Sequence, residues 1–350
     1  VEVAGIDADP SPAPIGDVLL DGVQHNTRIQ RPAIRKSWLE RKDRGRERRG
    51  TEAFINVPWD EALELAANEL HRVKESYGNK AIFAGSYGWA SAGRFHHAQS
   101  QLHRFINLIG GCTRAMNSYS TAAAQVILPH VVAPWSHMEL HQTSWQDVIE
   151  HSDLVVAFGG LPLRNTQVAY GGITEHNSAR DMRQASERGV TFCNISPLQQ
   201  DMPGWLNAQT LMPRPGTDVA LMLGLAYVLE HESLLDRGFL HSHCEGYARF
   251  RDYLLGHSDG VAKTPEWAAQ LADVDAAALV QLARRMAAER TFITAAWSLQ
   301  RADHGEQPYW MVVTLAAMLG QIGMPGGGFG FGYAAEGFIG SNHRRFNWAT

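Results

Sequence analysis

With 350 residues, 45% of them hydrophobic, the chain has enough apolar material for two or three domains, which excludes a disordered polypeptide and a disulfide-stapled mini-protein. The net charge of −5 is unevenly spread: ten Lys and Arg against three Asp and Glu fall between Arg28 and Arg49, and the remainder carries −12. The basic character is local, so no nucleic-acid partner and no membrane coat is expected. Cys112, Cys193 and Cys244 are too few and too scattered for a disulfide framework or a cysteine-ligated site, so no iron–sulfur cluster is expected and any metal must use other ligands.

Val1 lies in what reads as the end of a strand, without a secretory, twin-arginine or lipidation signal, and Thr350 follows Asn347 and Trp348 without a closing element. The chain reads as a piece trimmed at both ends; the cytoplasm is the expected compartment, with the periplasm as the alternative. Val1 to Ser37, rich in Pro, Asp and Gly, predicts short extended pieces, and the basic run to Gly50 predicts a solvated loop or arm. Phe54 to Val57 predicts a short strand. Ala62, Leu65, Ala66, Leu70 and Val73 recur at helical spacing and predict a helix from Trp59 to Tyr77, ended by Gly78. Ala81 to Ala84 predicts a strand leading into Gly85-Ser86-Tyr87-Gly88-Trp89, followed by a helix from about Arg94 to Ile109. A helix from Thr121 to Leu128 should stop at Pro129.

Leu154 to Phe158 and Val190 to Ile195 are uncharged β-type runs that predict strands buried on both faces, joined in a βαβ crossover by a helix from Ala179 to Arg188. Helices from Thr217 to Glu230, from Thr264-Pro265 onward, from Ala276 to Ala288 and before Gly320, with a strand from Phe292 to Ala296, continue the alternation. This pattern predicts an α/β fold of doubly wound, mostly parallel sheets, with no internal repeat. The charge-free stretch from Gln307 to Ala335 is interrupted by Gly320, Gly323, Pro325 and Gly326 to Gly328. It therefore predicts a buried helix and a glycine-rich loop in place of a membrane span.

Polar loops follow four of the predicted strands: Gly85 to Ser91, Gly159 to Thr166, Ser196 to Asp201, and Trp297 to Arg301. Loops at strand carboxyl ends are where doubly wound sheets bind ligands, and four of them suit a large nucleotide-like molecule. Asp218, after Pro213-Arg214-Pro215-Gly216-Thr217, is either a first-turn acid that complements a helix dipole or an acceptor for the N1 and N2 donors of a guanine. Ser120, in Asn117-Ser118-Tyr119-Ser120-Thr121, is either a helix cap or a hard anionic oxygen ligand for a high-valent metal. Ala84-Gly85-Ser86-Tyr87-Gly88 loosely imitates the nucleophile elbow of α/β hydrolases, but Gly88 and Gly93 interrupt the helix that should follow. His96, His97 and His103 cannot all be aimed at one metal from a single helix. Gly326 to Gly332 resembles a phosphate loop by composition, but it follows a helix and not a strand.

Several of these motifs together resemble the dimethyl sulfoxide reductase family: Trp59-Asp60-Glu61-Ala62, Gly85-Ser86-Tyr87-Gly88-Trp89, and Tyr119-Ser120-Thr121 followed by Ala123-Ala124-Gln125 and Pro129-His130. So do Trp297-Ser298 with Gln300-Arg301, His304-Gly305-Glu306-Gln307, Met318 to Gly323 and Pro325 to Gly330. The likeness spans nearly the whole chain in family order. It falls nearest the branch of biotin sulfoxide, trimethylamine N-oxide and dimethyl sulfoxide reductases, which hold molybdenum through serine.

The resemblance implies molybdenum bound as bis(molybdopterin guanine dinucleotide) and two-electron reduction of an S-oxide or N-oxide to the sulfide or amine plus water. Ser120 matches the metal ligand; Tyr87 and Trp89 match an aromatic pair that hydrogen-bonds the transferred oxygen. Gly88, Ala90 and Ser91 share that loop. Arg164, Asn165, Thr166, Ile195, Ser196, Gly216, Thr217, Asp218, Trp297, Ser298 and Arg301 match positions that contact the pterins and their nucleotide tails. Ser196 stands where aspartate is usual, Arg164 and Asn165 where lysine and threonine are common, and Gly216 where glutamine is common. The substrate would be a small-molecule oxide and the electrons would come from a separate donor; a monomer is expected. The implied domains are a remnant of an N-terminal mixed domain with the basic loop (1–50), a first α/β cofactor domain (51–130, with 334–350 returning to it) and a second α/β nucleotide-binding domain (131–333). The family's C-terminal β-barrel domain is lacking. The alternatives are a related molybdopterin hydroxytransferase or dehydrogenase, an α/β serine hydrolase acting through Ser86, and a non-catalytic fragment that binds guanine nucleotides through Asp218.

Overall fold

Proline-led turns and short hydrophobic runs build the first unit of the computed structural model, which describes residues 3–41, 46–86, 88, 91, 95–169, 172 and 175–341. That unit comprises 3–6 and 13–116. A 3-10 turn begun by Pro14, whose fixed φ suits a helix start, leads into α1 (Leu19–Gln24), where only extended pieces are predicted. β1 (Ala33–Arg35) runs into α2 (Lys36–Arg41) and pairs antiparallel with β2 (Phe54–Asn56), Ile34 facing Ile55. The basic run is thus not simply a solvated arm. Glu52 takes hydrogen bonds from the backbone N–H of Ser37 (2.7 Å) and its hydroxyl (2.8 Å), and lies 3.2 Å from the Arg35 guanidinium. One carboxylate neutralises part of the run and gives its backbone something to order against.

α3 (Trp59–Tyr77) has the predicted bounds. Asp60 and Glu61 sit in its first turn and Lys74 in its last, each complementing the helix dipole, and Gly78 ends it at φ 73°. Ala81 to Ala84 does not form the predicted strand. A 3-10 turn occupies Asn79–Ala81, and one parallel bridge joins Phe83 to Thr113, because Thr113 emerges straight from the positive-φ pair Gly110-Gly111 and offers a single extended residue to pair with. α4 (Ala98–Leu108) starts at Ala98, since the His97 ring accepts from the Ser100 N–H and caps the helix there.

The second unit comprises 7–12 and 117–341. α5 (Ala122–Val131) continues through Pro129 instead of stopping there: only the one N–H of that proline is lost, and Val132 still bonds the Leu128 carbonyl at 2.8 Å. α6 (Trp135–Leu140) and α7 (Trp145–His151) lead to β3 (Leu154–Phe158), and α8 (Ser178–Glu187) to β4 (Thr191–Ile195) and β5 (Gln209–Leu211). Next come α9 (Asp218–His231), α10 (Arg237–His243), α11 (Tyr247–Leu254), α12 (Pro265–Ala272) and α13 (Ala276–Ala288). β6 (Thr291–Ala295), α14 (Gln307–Met318) and β7 (Gly328–Phe331) complete the unit.

The strands form one parallel sheet in the order β5-β4-β3-β6-β7. Leu154, Val156 and Phe158 face a core shared with α5 and α9 to α14, while Val155 and Ala157 face a second core with α7 and α8. Strands buried on both faces must be apolar throughout, which is why these runs stand out in the sequence. β7 lies where a glycine-rich loop is predicted. Its glycine residues allow a close approach: a side chain at Gly330 would overlap the rings of Tyr333 and Phe292. Among the described residues no helix is long and apolar enough to cross a membrane.

Two glycine residues with positive φ separate conformational strain from steric overlap. Gly160 (φ 73°) lies directly against the Asp201 backbone, whereas a Cβ at Gly216 (φ 80°) would meet nothing within 4 Å. In urea unfolding, Gly216→Ala is expected to cost about 1 kcal/mol and Gly160→Ala more than about 2 kcal/mol. Equal losses would show that the approach to Asp201 does not matter.

Candidate functional site

Because β3 pairs with β4 on one side and β6 on the other, the chain leaves the centre of the sheet in opposite directions, and the loops beyond β3 and β6 diverge. A crevice at the carboxyl ends of such strands is the usual ligand site of a doubly wound sheet. The structure hangs the sequence-derived nucleotide residues of this unit there. Arg164, Asn165 and Thr166 lie in a 3-10 turn beyond β3; Ile195 ends β4 and Ser196 follows it. Gly216, Thr217 and Asp218 form the entry to α9 beyond β5, and Trp297, Ser298 and Arg301 follow β6.

These residues do not all present free side chains. The Thr166 hydroxyl donates to the Leu163 carbonyl at 2.8 Å and is spent on its own turn. Trp297 is a core anchor, 8% exposed, with its ring centroid 5.5 Å from that of Trp135 and 5.6 Å from that of Tyr309. The Tyr309 hydroxyl donates to the Ala296 carbonyl at 3.0 Å, which ties α14 to the β6 loop. Asn165, Ser298 and Arg301 are exposed.

Asp201, absent from the sequence-derived set, organises the neighbouring loops. Its carboxylate accepts from the Ser196 hydroxyl at 2.6 Å and from the Arg164 guanidinium at 2.5 Å, and its carbonyl accepts from the Leu161 N–H at 2.6 Å. Where family members place an aspartate at the end of β4, this chain has Ser196 bonded to a carboxylate five residues further on. The one signal for this in the sequence is that Asp201 ends the polar loop after β4.

Asp218 opens α9 half-buried. Burial pushes its carboxyl above the ordinary carboxylate range, and a hydrogen bond from its own backbone N–H opposes that shift only in part. No other described residue hydrogen-bonds this carboxylate, so it is an acceptor in need of donors.

Ser120 ends the turn before α5, partly buried beside an exposed Tyr119. Its backbone N–H donates to the Ser118 hydroxyl at 3.3 Å, and among the described residues none hydrogen-bonds its own hydroxyl. Neither Ser120 nor Thr121 caps the helix. Gln300, another residue outside the sequence-derived set, does so from beyond β6: its side-chain oxygen accepts from the Ala123 N–H at 2.9 Å, and its side-chain nitrogen donates to the Tyr119 carbonyl, also at 2.9 Å. Arg301 Nε donates to the same carbonyl at 3.2 Å.

Tyr87, Trp89 and Ala90 lie outside the described residues. Of their loop in the first unit, the Ser91 N–H donates to the Gly88 carbonyl at 3.0 Å, and a side chain at Gly88 would overlap Ala98 at the start of α4. The Ser86 carbonyl accepts from the Gln99 side chain at 2.8 Å, and no histidine among the described residues bonds the Ser86 hydroxyl, so the hydrolase alternative lacks its base. No group of three His, Cys, Asp or Glu among the described residues is placed to hold a metal.

The molybdopterin oxidoreductase family pattern matches residues 28–345. The chain is 44% identical over 328 residues, 93% of its length, to a dimethyl sulfoxide/trimethylamine N-oxide reductase of Cereibacter sphaeroides, covering 40% of that protein. It is 42% identical over 334 residues, 95% of its length, to a biotin sulfoxide reductase of the same organism, covering 45% of it. It is 40% identical over 323 residues, 92% of its length, to a trimethylamine-N-oxide reductase of Haemophilus influenzae, covering 39% of it. The chain thus spans about two fifths of the length of the curated relatives it matches. It shares its fold with acetylene hydratase from Pelobacter acetylenicus, with a TM-score of 0.57 over 89% of this chain and 39% of that chain at 21% identity.

The raised pKa of Asp218 has a signed consequence in the unliganded protein. A carboxyl whose folded pKa exceeds its unfolded one binds more protons when folded, so stability falls as pH rises from the unfolded value through the folded one. Asp218→Asn is therefore expected to raise the melting temperature at pH 7 and to leave it unchanged near pH 3. A lower melting temperature at pH 7 would make Asp218 a helix-end charge instead.

Proposed function

This chain belongs to the molybdopterin oxidoreductase family, and we propose that it forms part of a reductase that converts an S-oxide or N-oxide to the sulfide or amine plus water. Dimethyl sulfoxide, trimethylamine N-oxide and biotin or methionine sulfoxide are the candidate substrates, and a separate donor supplies the electrons. The relatives that match at 40–44% identity carry the first three of these substrates in their names. The observation that carries the reading is the Ser120 turn: a serine at a helix start whose capping duty has been taken by Gln300 and whose hydroxyl is left uncommitted.

The residues present fit a molybdenum–pterin guanine dinucleotide, and its bis form is the cofactor we propose, without an iron–sulfur cluster. Ser120 offers a hard oxygen to the metal, and the amino end of α5 favours the negative charge on it. Asp218 offers an acceptor to the guanine N1 and N2 donors, and the exposed Arg164 guanidinium, anchored on Asp201, faces solvent with donors for a phosphate. Gly88, Ala90, Ser91, Asn165, Thr166, Ile195, Ser196, Gly216, Thr217, Trp297, Ser298 and Arg301 complete the proposed contacts, Thr166 and Trp297 through their backbone. When bound, this group supplies the two-electron redox change and takes up the oxygen. Tyr87, next to Trp89, donates a hydrogen bond to the S=O or N=O oxygen, and that bond strengthens as charge builds on the oxygen.

Three substitutions in the holoenzyme test these roles. Ser120→Ala is expected to change the molybdenum X-ray absorption spectrum and to abolish most oxide reduction. Ser118→Ala, which removes one exposed 3.3 Å hydrogen bond, should have little effect. An unchanged spectrum in Ser120→Ala would reject the ligand. Tyr87→Phe should keep molybdenum content and lower turnover about 10- to 1,000-fold. Wild-type rates across several oxides would remove Tyr87 from the chemistry. Asp218→Asn should lower molybdenum per protein with little change in turnover per metal, since it places a donor against a guanine donor.

A further inference from the structure

A helix N-terminus leaves several N–H groups without intrahelical partners, and a serine or threonine just before the helix normally satisfies one of them. At α5 two such residues stand in place, yet neither does it. Thr121 Oγ1 instead accepts from the Gln125 side chain at 2.8 Å, and the Ala123 N–H is satisfied by Gln300, 177 residues away. The same side chain holds the Tyr119 carbonyl, so both polar atoms of one amide grip the backbone on either side of Ser120. The backbone of Gln300 is itself held close. The residue at position 305 must be glycine, because any side chain there would overlap the Gln300 carbonyl.

We propose that Gln300 is the positioning residue for Ser120: it takes over the capping duty that would otherwise commit the serine hydroxyl, and it fixes the serine backbone from both sides so that the oxygen is presented to the metal in one orientation. The proposal rests on the reading of Ser120 as the molybdenum ligand. Arg301 adds a single contact to Tyr119 from an exposed side chain and cannot hold the far side of the serine. Only a side chain with a donor and an acceptor at the same distance from its Cα serves both ends, so glutamate loses the bond to the Tyr119 carbonyl and alanine loses both bonds.

The test compares Gln300→Ala, Gln300→Glu and Ser120→Ala in the holoenzyme by molybdenum content, melting temperature, kcat, KM and the paramagnetic resonance of the one-electron-reduced metal. Gln300→Ala is expected to hold molybdenum within about twofold of wild type, to shift or split the resonance, and to lower kcat by about 10- to 100-fold with KM little changed. Gln300→Glu should fall between it and wild type. A wild-type resonance per bound metal in both Gln300 variants, alongside an altered one in Ser120→Ala, would overturn the positioning role and leave the ligand standing. An unaltered resonance in Ser120→Ala would overturn both. If Gln300→Ala loses the metal together with its melting temperature, Gln300→Glu decides: an altered resonance supports the proposal, and a wild-type one reduces Gln300 to a structural cap.

Discussion

Everything in the second unit depends on the parallel pairing of β3 along both of its edges. Leu154 to Phe158 align with Thr191 to Ile195 on one side and with Thr291 to Ala295 on the other, residue for residue. With both edges occupied and both faces buried, β3 can be built only of apolar side chains, and its neighbours must be reached by crossovers that cover the sheet with helices. That arrangement brings the carboxyl ends of three strands level, and the loops that leave them carry nearly all the polar groups suited to a ligand.

Loops so placed would move independently without ties between them. Asp201 joins the loop after β4 to the turn after β3, through a carboxylate that serves Ser196 and Arg164 at once. Gln300 joins the loop after β6 to the start of α5. In both cases a polar side chain from one segment completes the backbone or side-chain needs of another, which leaves other groups, the Ser120 hydroxyl and the Asp218 carboxylate, without protein partners. The bonded groups hold the loops in place, and the unbonded ones are those a ligand can use.

The elements that local chemistry specifies were legible in the sequence. Periodicity and Gly78 bounded α3, the uncharged runs marked β3 and β4, and the helical pattern bounded α13. What could not be read were features that a distant residue decides. Ala81 to Ala84 has strand composition but meets only one extended partner residue. β7 has loop composition, and it becomes a strand because Phe292 and Tyr333 leave room there only for glycine. Pro129 reads as a stop, yet the helix loses only one bond by including it. The candidate site divides the same way. Ser120 and Asp218 stood out beside helix starts, whereas Asp201 and Gln300 gain their roles only from partners that folding brings to them. Family motifs led to Tyr87 and Trp89, which no periodicity would single out.

The span of the Gln300 contacts also orders events in time. The Tyr119-to-Ala123 backbone is tied to a residue made 177 to 181 positions later, after the last-paired central strand has been synthesised. Until β6 docks against β3, the start of α5 lacks its cap and the serine before it has no fixed orientation. Contacts of such long sequence separation form late, because the intervening chain must be closed first. A nascent or half-folded chain therefore cannot present a finished ligand sphere to a metal, and maturation is coupled to completion of the sheet: loading follows folding, and a protein that has not closed its centre is left empty and not loaded wrongly.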